Sequence, residues 1–252
     1  MNTERIGIKT YASANEAEVR RERTDMMRNC PIPEEQMLSN VGLFLNSKDL
    51  ARILFMDFLY RQIIDVQGIV VEFGTRWGQN ISLLSALRGI YEPFNRHRKI
   101  VGFDTFEGFP AVTERDGTSD LMTPGNLTVP KGYNQFLERI MELQELDSPL
   151  GHIRKFEIRK GNAVKEIDSY LSENPETVIA LAYFDFDLYE PTKKCLEHIR
   201  SRLVKGSVLG FDELNDHDSP GETQALAEVF GLNSVALKRY RYTSRVSYFV
   251  ME

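Results

Sequence analysis

From residue 68 to residue 250, short apolar runs alternate with stretches of helical period, and that alternation leaves few folds open. Residues 68–73, 100–103, 156–159, 178–184 and 207–211 are short, apolar and rich in β-branched or aromatic residues, and read as five strands. Between them Ile81, Leu84 and Leu87, then Tyr133, Leu137 and Met141, then Cys195, Leu196, Ile199 and Leu203 recur at helical spacing. Pro191 suits the opening turn of a helix, where its missing N–H costs nothing. Ser219 and Glu222 have the spacing of a capping box, with Pro220 in the first helical position and Gly231 past the end. Residues 236–240 and 247–250 can close the chain as a hairpin. The predicted fold class is α/β, a doubly wound and mostly parallel sheet with a C-terminal antiparallel hairpin.

Residues 1–47 do not share the alternation. They are mixed and are broken at Cys30-Pro31-Ile32-Pro33, so they read as an N-terminal appendage serving as a lid or an oligomer contact. The domain proper is expected over 48–252, with Ser47 capping its first helix. Residues 108–132 are dense in Pro, Gly, Thr and Asp and are expected to form a long mobile cover. The net charge of −6 disfavours non-specific nucleic-acid binding. No apolar run is long enough for a membrane span, and no secretory signal is read at the N-terminus. Of the two cysteines, Cys195 is expected to pack as a free thiol, which points to a reducing, cytoplasmic location.

In an open α/β sheet, ligands bind beyond the carboxyl ends of the strands, so the strand ends carry the chemistry. The first end reads Glu72-Phe73-Gly74-Thr75-Arg76-Trp77-Gly78. Gly74 permits a tight turn and Gly78 a close approach to a helix start. Glu72 repels a phosphate and suits a cation such as an amino group; a plain turn with a packed helix start is the alternative. The second strand ends at Asp104, which can accept both hydroxyls of a ribose. The third ends at Gly161-Asn162-Ala163, where Asn162 is either a helix N-cap or a partner for an adenine edge. An amino acid, a ribose and a base in order make S-adenosylmethionine (SAM) or a close relative.

The fourth and fifth ends read Phe184-Asp185-Phe186-Asp187-Leu188-Tyr189 and Phe211-Asp212-Glu213. In extended chain Asp185 and Asp187 point the same way. Four carboxylates on one rim repel, and a hard divalent cation such as Mg²⁺ would relieve the cost; the alternative is that they are caps or pair with distant arginines. An NAD-binding reading is opposed by Glu72 and by the missing third glycine.

The stretches 70–78, 103–110, Asp185 to Thr192 and the pair Asp212-Glu213 resemble the macrocin O-methyltransferase family, over roughly residues 40–230. The resemblance implies a Rossmann-like class I SAM methyltransferase that uses Mg²⁺ to methylate hydroxyls of nucleotide-linked or glycoside sugars in natural-product or polysaccharide biosynthesis. It implies that Asp185, Asp212 and Glu213 hold the metal and that Asp187 is the general base. It further implies that Glu72, Asp104 and Asn162 bind SAM, with Gly74, Thr75, Arg76, Gly78, Thr105, Phe106, Ala163 and Asp185 around the cofactor. Two departures stand out. Glu213 replaces a usual Asp, and residues 214–218 are not the family's usual sequence, which makes His217 a second candidate base or a surface histidine. A catechol-type O-methyltransferase and a non-catalytic SAM-binding subunit are the rival readings, and a homo-oligomer is left open.

Overall fold

The computed structural model describes residues 13–252. A helix α1 (Ala14–Arg28), a single turn α2 (Glu34–Met37) and a 3₁₀ stretch Leu38–Phe44 lead into α3 (Ser47–Gln62). Then come β1 (Ile69–Phe73), α4 (Gln79–Tyr91), β2 (Ile100–Asp104), α5 (Tyr133–Leu146), β3 (Phe156–Lys160), α6 (Ala163–Glu173), β4 (Ile179–Phe184) and α7 (Tyr189–Ile199). The chain finishes with β5 (Leu203–Phe211), α8 (Gly221–Val229), β6 (Lys238–Arg239) and β7 (Ser247–Val250).

The strands form one sheet in the order β3-β2-β1-β4-β5-β7-β6. β1 to β5 run parallel, and β7 joins β5 and β6 antiparallel. The expected doubly wound sheet and closing hairpin are therefore observed. Strand order reverses between β1 and β4, which opens a crevice at their carboxyl ends.

Each face of the sheet carries its own core. Phe55, Met56, Leu59 and Ile63 pack with Ile81, Leu84, Leu137 and Met141 against Val70, Ile100, Leu181 and Val208. On the other face Ile167, Leu171, Cys195, Leu196, Ala225 and Leu226 cover Val71, Val101, Ala182 and Leu209. A row of rings crosses five strands, Phe103 to Phe73 to Phe184 to Phe211 to Phe249, with centroids 5.2, 4.8, 5.2 and 6.2 Å apart. Such pairs add about 0.5–1.5 kcal/mol each beyond burial, and this row stiffens the sheet just below the strand ends.

Some local expectations change. Asn46, not Ser47, caps α3, in a reciprocal capping box with Asp49. The box read at Ser219 and Glu222 does not form, because Pro220 holds the N-cap position and the Glu222 carboxylate is used elsewhere. Of the appendage expected over 1–47, residues 1–12 lie outside the described residues; α1, α2 and the stretch to Phe44 bury no residue. Cys195 is a buried free thiol, as expected. Among the described residues no helix is long and apolar enough to cross a membrane.

Candidate functional site

A cavity of about 340 Å³ opens at the crevice, lined from β1 by Gly74, Thr75 and Arg76, from β2 by Asp104 and Thr105, and from the start of α6 by Asn162 and Ala163. Asp185, Asp187, Asp212 and Glu213 line its other side. The sequence-predicted site thus gathers in one place, with four exceptions: Glu72, Gly78, Phe106 and His217 are not part of the lining.

The geometry at β1 follows from Gly74. Its φ is +94°, and a Cβ there would sit 2.0 Å from the Asp185 carbonyl oxygen. Only glycine lets the end of β1 pass so close to the end of β4, and the Asp185 N–H closes the junction by donating to the Phe73 carbonyl at 2.8 Å. Gly78, at φ +77°, is the N-cap of α4 and lies against Leu137. Arg76 and Phe106 hold left-handed conformations, φ +43° and +57°. Asp104 stabilises both, accepting the Arg76 N–H at 2.8 Å and the Phe106 N–H at 2.5 Å. Burial raises the Asp104 pKa against these bonds, which lower it. Asn162 proves to be the N-cap of α6, its side-chain oxygen accepting from Val164 and Lys165; that oxygen is committed to the helix.

Glu72 sits behind Thr75 and Asn80, fully buried, and neither carboxylate oxygen has a hydrogen-bond partner. Burial pushes its pKa up to about 8; the nearby Asn80 and Thr75 polar groups oppose the shift only in part, being too poorly placed to form full hydrogen bonds. An orphaned acid beside the cavity suits a cationic ligand group. A carboxyl raised from near 4.5 to about 8 binds its proton more tightly when folded. Its burial therefore costs nothing below the unfolded pKa, and the cost grows with pH until it is complete above the folded pKa. Glu72→Gln is expected to match wild-type Tm near pH 4.5 and to exceed it by a margin that widens up to pH 8. A margin constant with pH in thermal melts would show that Glu72 titrates normally.

The acidic rim is not arranged as the sequence predicts. Asp187 has φ +60°, so the chain is not extended there and alternation does not explain how Asp185 and Asp187 reach one cavity. Two arginines invisible to the motif reading enter the rim. Arg52 of α3 places Nη1 2.5 Å from Asp212 and 3.8 Å from Asp185. It also donates to the Tyr183 hydroxyl at 2.8 Å, which in turn donates to Asp212 at 2.8 Å. Arg245, from the turn between β6 and β7, contacts Glu213 and lies 3.7 Å from Asp212. The sequence did hold a signal for Arg52, because it falls three and four residues before the buried Phe55 and Met56, and a charge on an apolar helix face needs a partner. Arg245 offered none.

Burial, then repulsion from Asp212, drives the Asp185 pKa well up despite Arg52. Among the described residues no three His, Cys, Asp or Glu side chains are set as a metal-ligating group. The donor chemistry nevertheless fits a hard cation: the acids are all oxygen donors, Glu213 Oε2 is buried without a partner, and positive charge is already drawn into the rim. His217 is exposed in a separate hollow with Asn215, Asp216 and Thr118. The turn at Asn215, φ +63°, lies just ahead of it in the chain.

The loop 108–132 is the cavity's third wall, through Gly108, Phe109, Pro110, Leu121 and Leu127. Its contacts run to α7 and α8 and to the residue before α7. Phe109 and Met122 form a small core with Leu188, Arg115 pairs with Glu228 at 2.9 Å, and the buried Asp116 accepts the Tyr189 N–H at 2.5 Å.

No family model matches the chain, and no curated protein does. Solved structures do. The crystal structure of the calicheamicin methyltransferase CalS11 is 42% identical over 96% of this chain and 94% of that one, with a TM-score of 0.93. The apo structure of CalS11, described as a TDP-rhamnose 3'-O-methyltransferase of calicheamicin biosynthesis, is 40% identical over 96% of both chains, with a TM-score of 0.85. The O-methyltransferase NovP shares the fold at 18% identity, over 80% of this chain and 79% of that one, with a TM-score of 0.60.

Proposed function

This chain belongs to the macrocin O-methyltransferase family, and from that premise we propose that it moves a methyl group from SAM to a sugar hydroxyl in natural-product biosynthesis. The chain is a methyltransferase of class I fold. The observation that carries the acceptor side is that one cavity joins the ends of β1, β2 and β3 to Asp187, Asp212 and Glu213.

In this reading Thr75 and Arg76 face the amino-acid end of the cofactor with Glu72 buried behind them, and Asp104 accepts the ribose hydroxyls with the lone pairs left over from its two backbone bonds. Asn162 keeps its oxygen in the helix cap and offers its amide nitrogen to the adenine. Bound SAM supplies an electrophilic methyl carbon on a sulfonium. A sugar hydroxyl is a weak acid, and a divalent ion such as Mg²⁺, if bound at the rim, would lower its pKa. Asp185, Asp212 and Glu213 are the residues that would hold that ion, in the place of the positive charge that Arg52 and Arg245 bring to the rim. Asp187 would take the proton of the acceptor hydroxyl as that oxygen receives the methyl group and the thioether leaves. Phe109, Leu121 and Leu127 exclude water from the acceptor side.

The test incubates the protein with SAM and a panel of nucleotide-linked deoxysugars, scored by mass spectrometry. A product heavier by one methyl is expected, with turnover lost on chelation and restored by Mg²⁺. Asp104→Ala should weaken SAM binding in calorimetry. Methylation of catechols but not of sugars would overturn the acceptor, and full turnover after exhaustive chelation would remove the metal.

A further inference from the structure

Asp187 is a non-glycine residue at φ +60°, a conformation that costs free energy unless its surroundings hold it. Two buried carboxylates from distant parts of the chain bracket it. On one side Glu222, fully buried in α8, accepts the Phe186 N–H at 3.0 Å. The same side chain accepts the Glu213 N–H, more weakly, at 3.4 Å, so it also ties the end of β4 to the end of β5. On the other side Asp116 accepts the Tyr189 N–H at 2.5 Å with one oxygen. Its second oxygen accepts the Thr113 N–H at 2.6 Å and hydroxyl at 2.8 Å. Behind the segment Gly221 is packed so closely that a Cβ would lie 2.6 Å from the Tyr189 nitrogen and 2.8 Å from the Asp187 carbonyl oxygen.

A buried carboxyl group is expensive, and two of them serving one four-residue segment need a reason. Neither belongs to the strand-end motifs. Residues 186–189 cannot continue the β4 ladder, so their N–H groups need other acceptors, and Glu222 and Asp116 supply them at either side of Asp187. We infer that Glu222 and Asp116 are positioning residues that hold Asp187 in its left-handed conformation, aimed at the acceptor hydroxyl. The assignment rests on the proposed role of Asp187. It also links the loop wall to the reacting centre, because Asp116 belongs to that wall.

The experiment compares Glu222→Ala with Glu222→Gln and Asp116→Ala in the full chain. Glutamine keeps an acceptor oxygen for Phe186; alanine does not. The alanine variants should lose kcat by roughly 10- to 100-fold, the scale of a misplaced reacting group, while calorimetric SAM affinity stays as in wild type. Glu222→Gln should recover most of the loss. Amide exchange at Phe186 should accelerate in Glu222→Ala, and at Tyr189 in Asp116→Ala. This last reading stands even if the wild type methylates no sugar, so failure of the clamp and failure of the functional assignment are distinguishable. Unchanged exchange at both amides, or wild-type kcat in a folded Glu222→Ala, would overturn the inference. So would equal losses in kcat and SAM affinity, since a general loosening of the domain predicts them.

Discussion

Asp187→Asn is expected to lower kcat by about 10²-fold or more, the usual scale for removing a general base, with SAM affinity unchanged. Asparagine has nearly the same volume and is among the residues that tolerate a left-handed backbone, so the strained turn at φ +60° survives the change. What is lost is the proton acceptor. Added Mg²⁺ should not rescue the variant, whereas Asp212→Asn should lose turnover together with metal affinity and recover in part at high Mg²⁺. Steady-state kinetics with and without added metal separate the two patterns. His217→Ala should be silent, because that side chain is exposed in a different hollow. An Asp187→Asn enzyme with near wild-type turnover would transfer the base role to another residue of the rim.

Glu145→Ala is expected to destabilise the fold by about 3–5 kcal/mol, the cost of leaving buried charge without its partner. Glu145 of α5 is 3% exposed, and it faces Arg88 of α4 and Lys155, each 2% exposed. Its Oε1 lies 2.7 Å from Arg88 Nη2 and 2.6 Å from Lys155 Nζ, and its Oε2 accepts the Lys155 N–H at 3.1 Å. Arg88 also donates to the Lys155 carbonyl at 2.7 Å. One carboxylate thus pairs with two cations while fastening α4, α5 and the entry to β3. For a chain of this size the loss corresponds to a fall in Tm on the order of 10 °C. Glu142→Ala is the control, since its pairs with Arg139 and Arg154 are largely exposed, and its effect should stay within about 0.5 kcal/mol. Equal melting temperatures for the two variants would remove the buried triad from the account of stability. The triad lies outside the cavity lining, so Glu145→Ala should retain turnover at temperatures where it is folded.

The contrast between these two sites shows how far the sequence reaches. Strand and helix periodicity predicted the five parallel strands and their helices because burial of an apolar face imposes a repeat that can be counted along the chain. The ligand side of the sheet followed from topology, and with it Gly74, Asp104, Asp185, Asp187 and Asp212, because strand ends are sequence positions. Arg88 falls at helical spacing from Ile81 and Leu84, and Glu145 from Leu137 and Met141, but their burial is a finding of the structure. That they answer one another is likewise decided in space, since nothing along the chain records which helix lies beside which. Only the tertiary structure decided that Arg52 and Arg245 enter the acidic rim, that Glu222 leaves its capping position for the Phe186 N–H, and that Asp187 turns left-handed. Each of these is a pairing between groups 30 or more residues apart, or a backbone strain that such pairings hold. A local repeat carries burial and direction; it does not carry the partner, because a hydrogen bond or an ion pair is selected by distance in space.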